Sequence, residues 1–452
     1  MINKRLQPAL LLFLLLAGGN LFGQAPASPP SKYEFSAKQC IEFANKNSVQ
    51  VKNALLNVQM QQQQNRDVTS AALPNITGSV GATDYLDIPT TLVPGQFAGQ
   101  PPGTYVPLQF GTKYNANGTV QLQQLLFDGQ VFVGLQARRT AIDFQMKNVE
   151  VTQQTINTNI YKIYYQLVVS KTQISLLDAN IAQLQKLEHD TREMYKNGFS
   201  EKLDVDKVTV QIANLQTEKL KTLNTVSIGY LGLKTLIGMP VKDVLVLTDS
   251  LTEDQIKTGV LDGANYQYTD RKEYQYLELN RKLNEYNIRR YKLAYLPTVS
   301  LNGVYTKTAQ RDQFNFFGKG DWFTTSYIGL NVSIPIFDGF SKDAKLKQAR
   351  ITMRQTDNQL SDLKLNIDSE VEQATLNFKT AIATMDYQKQ NMELAQSVYD
   401  QTKKKYEVGT GSNTEITNAE TSFKTAQTNY INALYDGVIA KIDFLKATGK
   451  LQ

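Results

Sequence analysis

Positions 142, 146, 149, 153, 156, 160, 163, 167, 170, 174, 177, 181, 184 and 188 step along the chain by fours and threes. Eleven of the fourteen are apolar, the exceptions being Gln153, Ser170 and Glu188. An apolar period of 3.5 residues held this long marks a coiled-coil helix. Set between 131 and 194, such a helix runs roughly 95 Å at about 1.5 Å per residue, too long for the interior of a compact globule. A second seam follows at 342–406, through Met353, Leu360, Leu363, Ile367, Val371, Ala374, Phe378, Ala381, Met385, Met392, Ala395 and Tyr399. Its step drifts at Ile367–Val371, as a stutter does.

The two seams belong to a long internal repeat. Leu73-Pro74 returns as Leu296-Pro297, Phe127-Asp128-Gly129 as Phe337-Asp338-Gly339, Tyr195–Gly198 as Tyr406–Gly409, and Ile237-Gly238 as Thr448-Gly449. The offset falls from 223 to 210 between the first two landmarks, which places an insertion between Pro74 and Asp128. Each copy begins with a helix, 36–72 or 266–294, that ends before its Leu-Pro. Strand patterns follow. Ile76, Gly78, Val80 and Ala82 alternate in the first copy, and Val299, Leu301, Gly303 and Tyr305 in the second. After a loop, Ile328, Leu330, Val332, Ile334 and Ile336 alternate again. Asp-Gly then turns the chain into the long helix, Gly198 or Gly409 caps it, and a return helix runs over 201–237 or 413–448. The loop 86–118, with five prolines and five glycines, is expected to be exposed. The expected organisation is a signal peptide at 1–23, a first repeat at 24–240, a connector at 241–265 and a second repeat at 266–452.

The N-terminus carries Lys4 and Arg5, an apolar run from Leu10 to Ala17, and small residues at Gly18, Gly19 and Gly23. This is the pattern of a secretory signal peptide cleaved within 23–28, its core being too short to span a bilayer. Net charge is +6, and +4 once Lys4 and Arg5 are removed, with both signs interspersed. No basic face suits nucleic acid. One cysteine, Cys40, rules out an intrachain disulfide framework and is expected to be a buried apolar group. With one histidine, His189, and one cysteine, metal, triad and thiol chemistries have almost no residues to draw on. No motif supports an enzyme, and no cofactor is expected.

Two strands per copy, each about ten residues, have the length of tilted bilayer-crossing strands. Four strands cannot close, and an open sheet edge in lipid leaves backbone groups unpaired at several kcal/mol each. A membrane barrel would therefore need several chains, and three chains supply twelve strands. Phe314, Phe316, Phe317, Trp322, Phe323 and Tyr327 suit an interfacial aromatic girdle. The alternative is a soluble pair of hairpins covering the coiled coil.

Over residues 34–450 the chain resembles the TolC-like outer-membrane efflux proteins. The resemblance is carried by the doubled element order and by Leu293–Tyr305, Ser333–Phe340 and Tyr406–Leu434. It implies a mainly α chain with a membrane β-barrel part, assembling as a homotrimer with a periplasmic α-barrel and a twelve-stranded barrel in outer-membrane lipid. It also implies docking to a periplasmic adaptor and an inner-membrane pump that supplies the energy. The family's gate lies at the hairpin tips. An acid six positions past the first tip glycine corresponds to Asp204, and acids six and nine past the second correspond to Glu415 and Asn418. The tip tyrosine corresponds to Tyr406, and the family's locking Arg is Gly411 here, so one acid position is neutral and the Arg lock is missing. Lys202 or Lys207 could replace its contacts. For Glu415 a helix-capping role with Ser412 competes with a pore-ring role, and for Asp204 a first-turn dipole role does. The expected function is an exit duct for small-molecule efflux. The alternatives are a duct for one-step protein secretion and a periplasmic coiled-coil scaffold without transport.

Overall fold

The computed structural model describes residues 31–258, 266–318 and 320–451. The expected signal peptide and connector residues 259–265 lie outside them. Strand β1 (Lys32–Phe35) and helices α1 (Ala37–Asn47) and α2 (Val49–Ser70) lead to strand β2 (Asn75–Asp84). A small hairpin of β3 (Thr90–Pro94) and β4 (Tyr105–Gln109) follows, then β5 (Tyr114–Phe127), α3 (Gly129–Lys196) and α4 (Lys202–Ile237). Strand β6 (Val244–Leu247) and the short α5 (Glu253–Lys257) connect to α6 (Lys272–Leu293), β7 (Thr298–Arg311), β8 (Phe323–Ser333), α7 (Ser341–Glu407) and α8 (Asn413–Ala447).

The two long helices set the frame, α3 with 68 residues and α7 with 67. Each begins at a Phe-Asp-Gly, and the aspartate explains why. The Asp128 carboxylate accepts the N–H groups of Gln130 and Val131, and Asp338 accepts that of Lys342, so each satisfies orphan donors of the first turn. Gly129 leaves no room for a side chain, since a Cβ there would lie 2.7 Å from the Leu293 Cβ. Each long helix is flanked along its length by shorter ones. Toward the strands α3 packs on α2 and α6, and α7 on α6. Toward the tips α3 packs on α4 and α8, and α7 on α8. The 4-3 seam of α3 faces inward: Ile156, Ile160, Leu167, Leu177, Ile181 and Leu184 are buried.

Midway, where the shorter helices meet, the chain departs from the expected single helix over 36–72. It breaks at Ser48, whose ψ of 130° ends α1 and starts α2. The end of α4 sits against this break: at Gly238, with φ +75°, a Cβ would lie 2.4 Å from the Asn47 carbonyl oxygen. A continuous helix would leave α4 no place to stop. Around the break Cys40, Ile156, Ile160, Leu233 and Ile237 form a buried cluster, Cys40 being an inert apolar group there as expected. Strand β1 pairs in parallel with β6, tying the N-terminal segment to the connector. The Tyr164 hydroxyl donates to the Phe35 carbonyl and accepts the Asp249 N–H, both at 3.0 Å. A second cluster, with Ile256, Phe378, Met385 and Phe444, holds the other half, and Tyr161 and Tyr165 pack against both.

The sheet runs β2-β5-β7-β8, antiparallel throughout. Strands β5 and β7 have 14 residues, longer than the expected ten. Opposite residues in an antiparallel ladder share a face. One face is apolar: Ile76 is opposite Leu122, Leu122 opposite Gly303, Gly303 opposite Ile328, Val120 opposite Tyr305 and Leu301 opposite Leu330. The other carries Asn117, Thr119, Gln121 and Gln123 of β5 with Asn302, Thr306 and Thr308 of β7 and Thr325 and Asn331 of β8. The Thr119 and Thr306 hydroxyls on it lie 3.0 Å apart. Among the described residues nothing covers the apolar face, where Val80 is 91% and Ile328 80% exposed.

Two expected spans change. Strand β8 ends at Ser333, because its partner β7 begins at Thr298 after Pro297; Ile334 and Ile336 continue outside the ladder. The 86–118 segment is not all loop, since it holds the β3–β4 hairpin and the start of β5. Of the girdle candidates, Phe316 folds back as a buried neighbour of Ala116 and Ala309. Phe314, Phe317 and Trp322 are exposed between β7 and β8, while Phe323 and Tyr327, opposite Thr308 and Val304, fall on the polar face.

Replacing Tyr164 by Phe removes both of its hydrogen bonds and leaves the Phe35 carbonyl and the Asp249 N–H without this partner. A loss of about 1–3 kcal/mol is expected, read from denaturant unfolding of the purified protein.

Candidate gate at the hairpin tips

Each helical hairpin turns at a glycine with positive φ, Gly198 at 78° and Gly409 at 76°. This is the backbone that L side chains avoid and that closes a helix C-terminus. Around Gly198, Gly198 N–H reaches the Tyr195 carbonyl at 3.0 Å and Phe199 N–H the Met194 carbonyl at 2.9 Å. Around Gly409, Gly409 N–H reaches Tyr406 and Thr410 N–H reaches Lys405, both at 3.0 Å. The tips are therefore tight turns on rigid helices.

The sequence-named residues do not form one constellation. Tyr406 is buried between the hairpins with Tyr399, Ile416 and Ala419, and its hydroxyl lies 3.2 Å from that of Thr191 on α3. Gly411 is pressed onto the end of α7, its N–H bonded to the Lys405 carbonyl at 3.1 Å, and a Cβ there would lie 3.1 Å from the Tyr406 nitrogen. An arginine at this position would force the tip backbone to move. Glu415 and Asn418 are exposed on the first turns of α8. Ser412 caps that helix, its hydroxyl accepting the Glu415 N–H at 3.2 Å, and it makes no reciprocal bond to the Glu415 carboxylate. That carboxylate is thus left facing solvent.

Asp204 is half-buried in the first turn of α4. Burial raises its pKa, but polar contacts from Asn413, Ser200 and Lys207 outweigh that and hold the carboxyl below its ordinary range. The Ser200 hydroxyl is 3.2 Å away and the Lys207 ammonium 3.4 Å. The Asn413 amide faces the carboxylate without completing a bond of ordinary geometry, since its Nδ2 has no close partner. Lys207 lies one turn along the same helix, so this ion pair is local and not a bridge between hairpins. The inter-hairpin seam is instead held by neutral pairs, Asn180–Gln427 and Gln173–Asn432 at 3.2 Å, and by Lys424–Glu218 at 2.5 Å and Lys162–Asp443 at 2.6 Å.

Sequence reasoning missed Thr191, Asn413 and Glu420. Glu420 is the most unusual: it is 9% exposed, its Oε2 has no protein partner, and burial pushes its carboxyl up to about 7 against the pull of Lys403. The signal was present, because Glu420 stands four residues after Ile416 on the inward stripe of α8.

The family model described as outer membrane efflux protein matches residues 271–450. The chain is 23% identical over 445 residues to the outer membrane efflux protein BepC of Brucella suis, covering 97% of this chain and 89% of that protein. It is 23% identical over 355 residues to the outer membrane protein TolC of Salmonella enteritidis, covering 75% of this chain and 70% of that protein. A crystal structure of CusC superposes with a TM-score of 0.75 at 16% identity, covering 94% of this chain and 95% of that one.

Removing only the Tyr406 hydroxyl, by Tyr406→Phe, is expected to weaken the α3–α7 contact by about 1 kcal/mol. Tyr406→Ala, which also empties the buried site, is expected to cost about 3–5 kcal/mol. Native-state hydrogen exchange of the α3 amides around Thr191 reads both.

Proposed function

We propose, from the premise that the chain belongs to the TolC-like outer membrane efflux proteins, that three copies form the exit duct of a tripartite efflux system. The two-faced sheet carries this reading. Its apolar face suits lipid, its polar face suits an aqueous lumen, and among the described residues the outer edges of β2 and β8 pair with no further strand. Pairing β8 of one copy with β2 of the next closes twelve strands without a free edge. The helices then wall a tube on the same axis and carry the tips away from the membrane into the periplasm, where an adaptor and an inner-membrane pump dock. Residues 24–240 and 266–452 act as the two repeats and 241–265 as the connector at the equator.

In this duct the chain does no chemistry. Glu415, with its carboxylate unclaimed by the Ser412 cap, lines the narrow end as a ring of three charges, while Asn418 contributes a neutral ring. With Gly411 in place of a locking cation, closure depends on the seam between hairpins, through Tyr406–Thr191 and the polar pairs above. The word efflux in the family description is what favours the small-molecule reading over protein export.

Purified protein is expected to migrate on gels as a trimer that collapses to monomer only on boiling; a monomer without heating would exclude the shared barrel. Loss of the protein should raise drug susceptibility and leave protein secretion intact. In planar bilayers Glu415→Gln should weaken cation preference and block by divalent cations, and unchanged selectivity would remove Glu415 from the pore.

A further inference from the structure

The seam between the two hairpins holds a cleft of about 180 Å³. It is lined by Asn180 and Leu184 of α3, Gln211 and Leu215 of α4, and Glu420 of α8. Two buried oxygens in this lining, Glu420 Oε2 and Gln211 Oε1, have no protein hydrogen-bond partner. Both are acceptors while Glu420 is ionised, and two acceptors cannot satisfy one another. A proton on Glu420 turns one of them into a donor and removes a buried charge in the same step.

We propose that Glu420 is a proton-operated latch in this seam: protonated, it lets α8 close on α3 and α4, and ionised, it loosens them. The charges around it leave the proton as its natural counter-ion. Lys424 on α8 also borders the cleft, but its ammonium is held by Glu218 of α4 at 2.5 Å. Asp178 of α3 and Lys219 of α4 pair with each other, also at 2.5 Å. From α7 come Lys403, which favours the charged form, and Tyr399, whose own ionisation the Glu420 charge opposes. The α3 residues at the cleft are uncharged.

The sign follows from linkage. Burial raises the carboxyl from 4.5 to about 7 in the packed seam, so the packed seam binds the proton more tightly than a loosened one. Its extra stability is complete below 4.5, falls as pH rises from 4.5 to about 7, and is gone above that. Acid tightens the seam and alkali loosens it. The latch rests on the seam alone and holds whether or not the chain conducts.

The test is a distance and not a current. Spin labels are placed on full-length protein in detergent through Gln216→Cys on α4 and Ser422→Cys on α8, both exposed, while buried Cys40 stays unlabelled. The inter-label distance should lengthen and broaden as pH rises from 4.5 to about 7 and change no further above that. Glu420→Gln, which keeps the shape without the charge, should hold the short distance at every pH. Lys403→Gln, which removes the favouring cation, should move the midpoint upward. A wild-type distance indifferent to pH, a response that survives Glu420→Gln, or a midpoint unmoved by Lys403→Gln overturns the latch.

Discussion

The backbone groups on the free edges of β2 and β8 are the constraint from which the rest follows. In hydrocarbon no water meets an unpaired N–H or C=O, so a sheet with one apolar face is only half a solution. Among the described residues this sheet has four strands that do not close on one another, and it is the proposed duct that would supply the missing partners from further copies. The helical frame fits that requirement. Strand β5 runs straight through Asp128 into α3, and β8 leads through Asp338 into α7, so any arrangement imposed on the strands passes directly to the helices.

Below the strands the structure solves a different problem, how to keep two long helices straight with short partners. Each shorter helix covers only half of a long one, and the ends of the short ones must be buried where they meet. The equatorial belt does this. A parallel strand pair, the Tyr164 hydroxyl and two apolar clusters satisfy the termini that would otherwise face solvent or each other. Toward the tips the packing becomes more polar, with amide pairs and ion pairs between hairpins in place of a continuous apolar seam. Surface ion pairs and amide contacts contribute little each. That end of the molecule is therefore the one whose packing a single charge such as that of Glu420 can shift.

Features encoded by local period were legible in the sequence. The 4-3 spacing revealed α3 and α7, their expected bounds of 131–194 and 342–406 fall within two residues of the observed ones, and the glycines marked the hairpin turns because only a positive φ closes them. Features created by contact between distant segments were not. The break at Ser48 exists because Gly238 arrives there, and nothing near Ser48 announces it. The β1–β6 pair joins residues about 212 positions apart, and each strand has only four residues, too short for a period to show. At the tips the sequence named Glu415 and Asn418 as gate positions, and both stand exposed on the first turns of α8. It could not tell that Tyr406 turns inward to Thr191, nor that Glu420 lacks a partner, because both depend on the angle between two hairpins.

The uninterrupted course of α3 has a consequence for how such a chain can change over generations. One residue added near its middle would turn everything beyond by about 100° and push it along by about 1.5 Å. The buried face of the tip half would then point outward, while α4 and α8 stayed where they were. A single indel is thus a mutation of the whole lower half. Growth or shortening keeps the buried face in place when it comes in steps of seven, or of four where a stutter like that of α7 absorbs it, matched in α3 and its partner α4, and again in α7 and α8. The present lengths, 68 and 67 residues for the long helices and 36 and 35 for the returning ones, keep that parity to within one residue. Loops elsewhere in the chain are free to drift; the length of this rod is quantised.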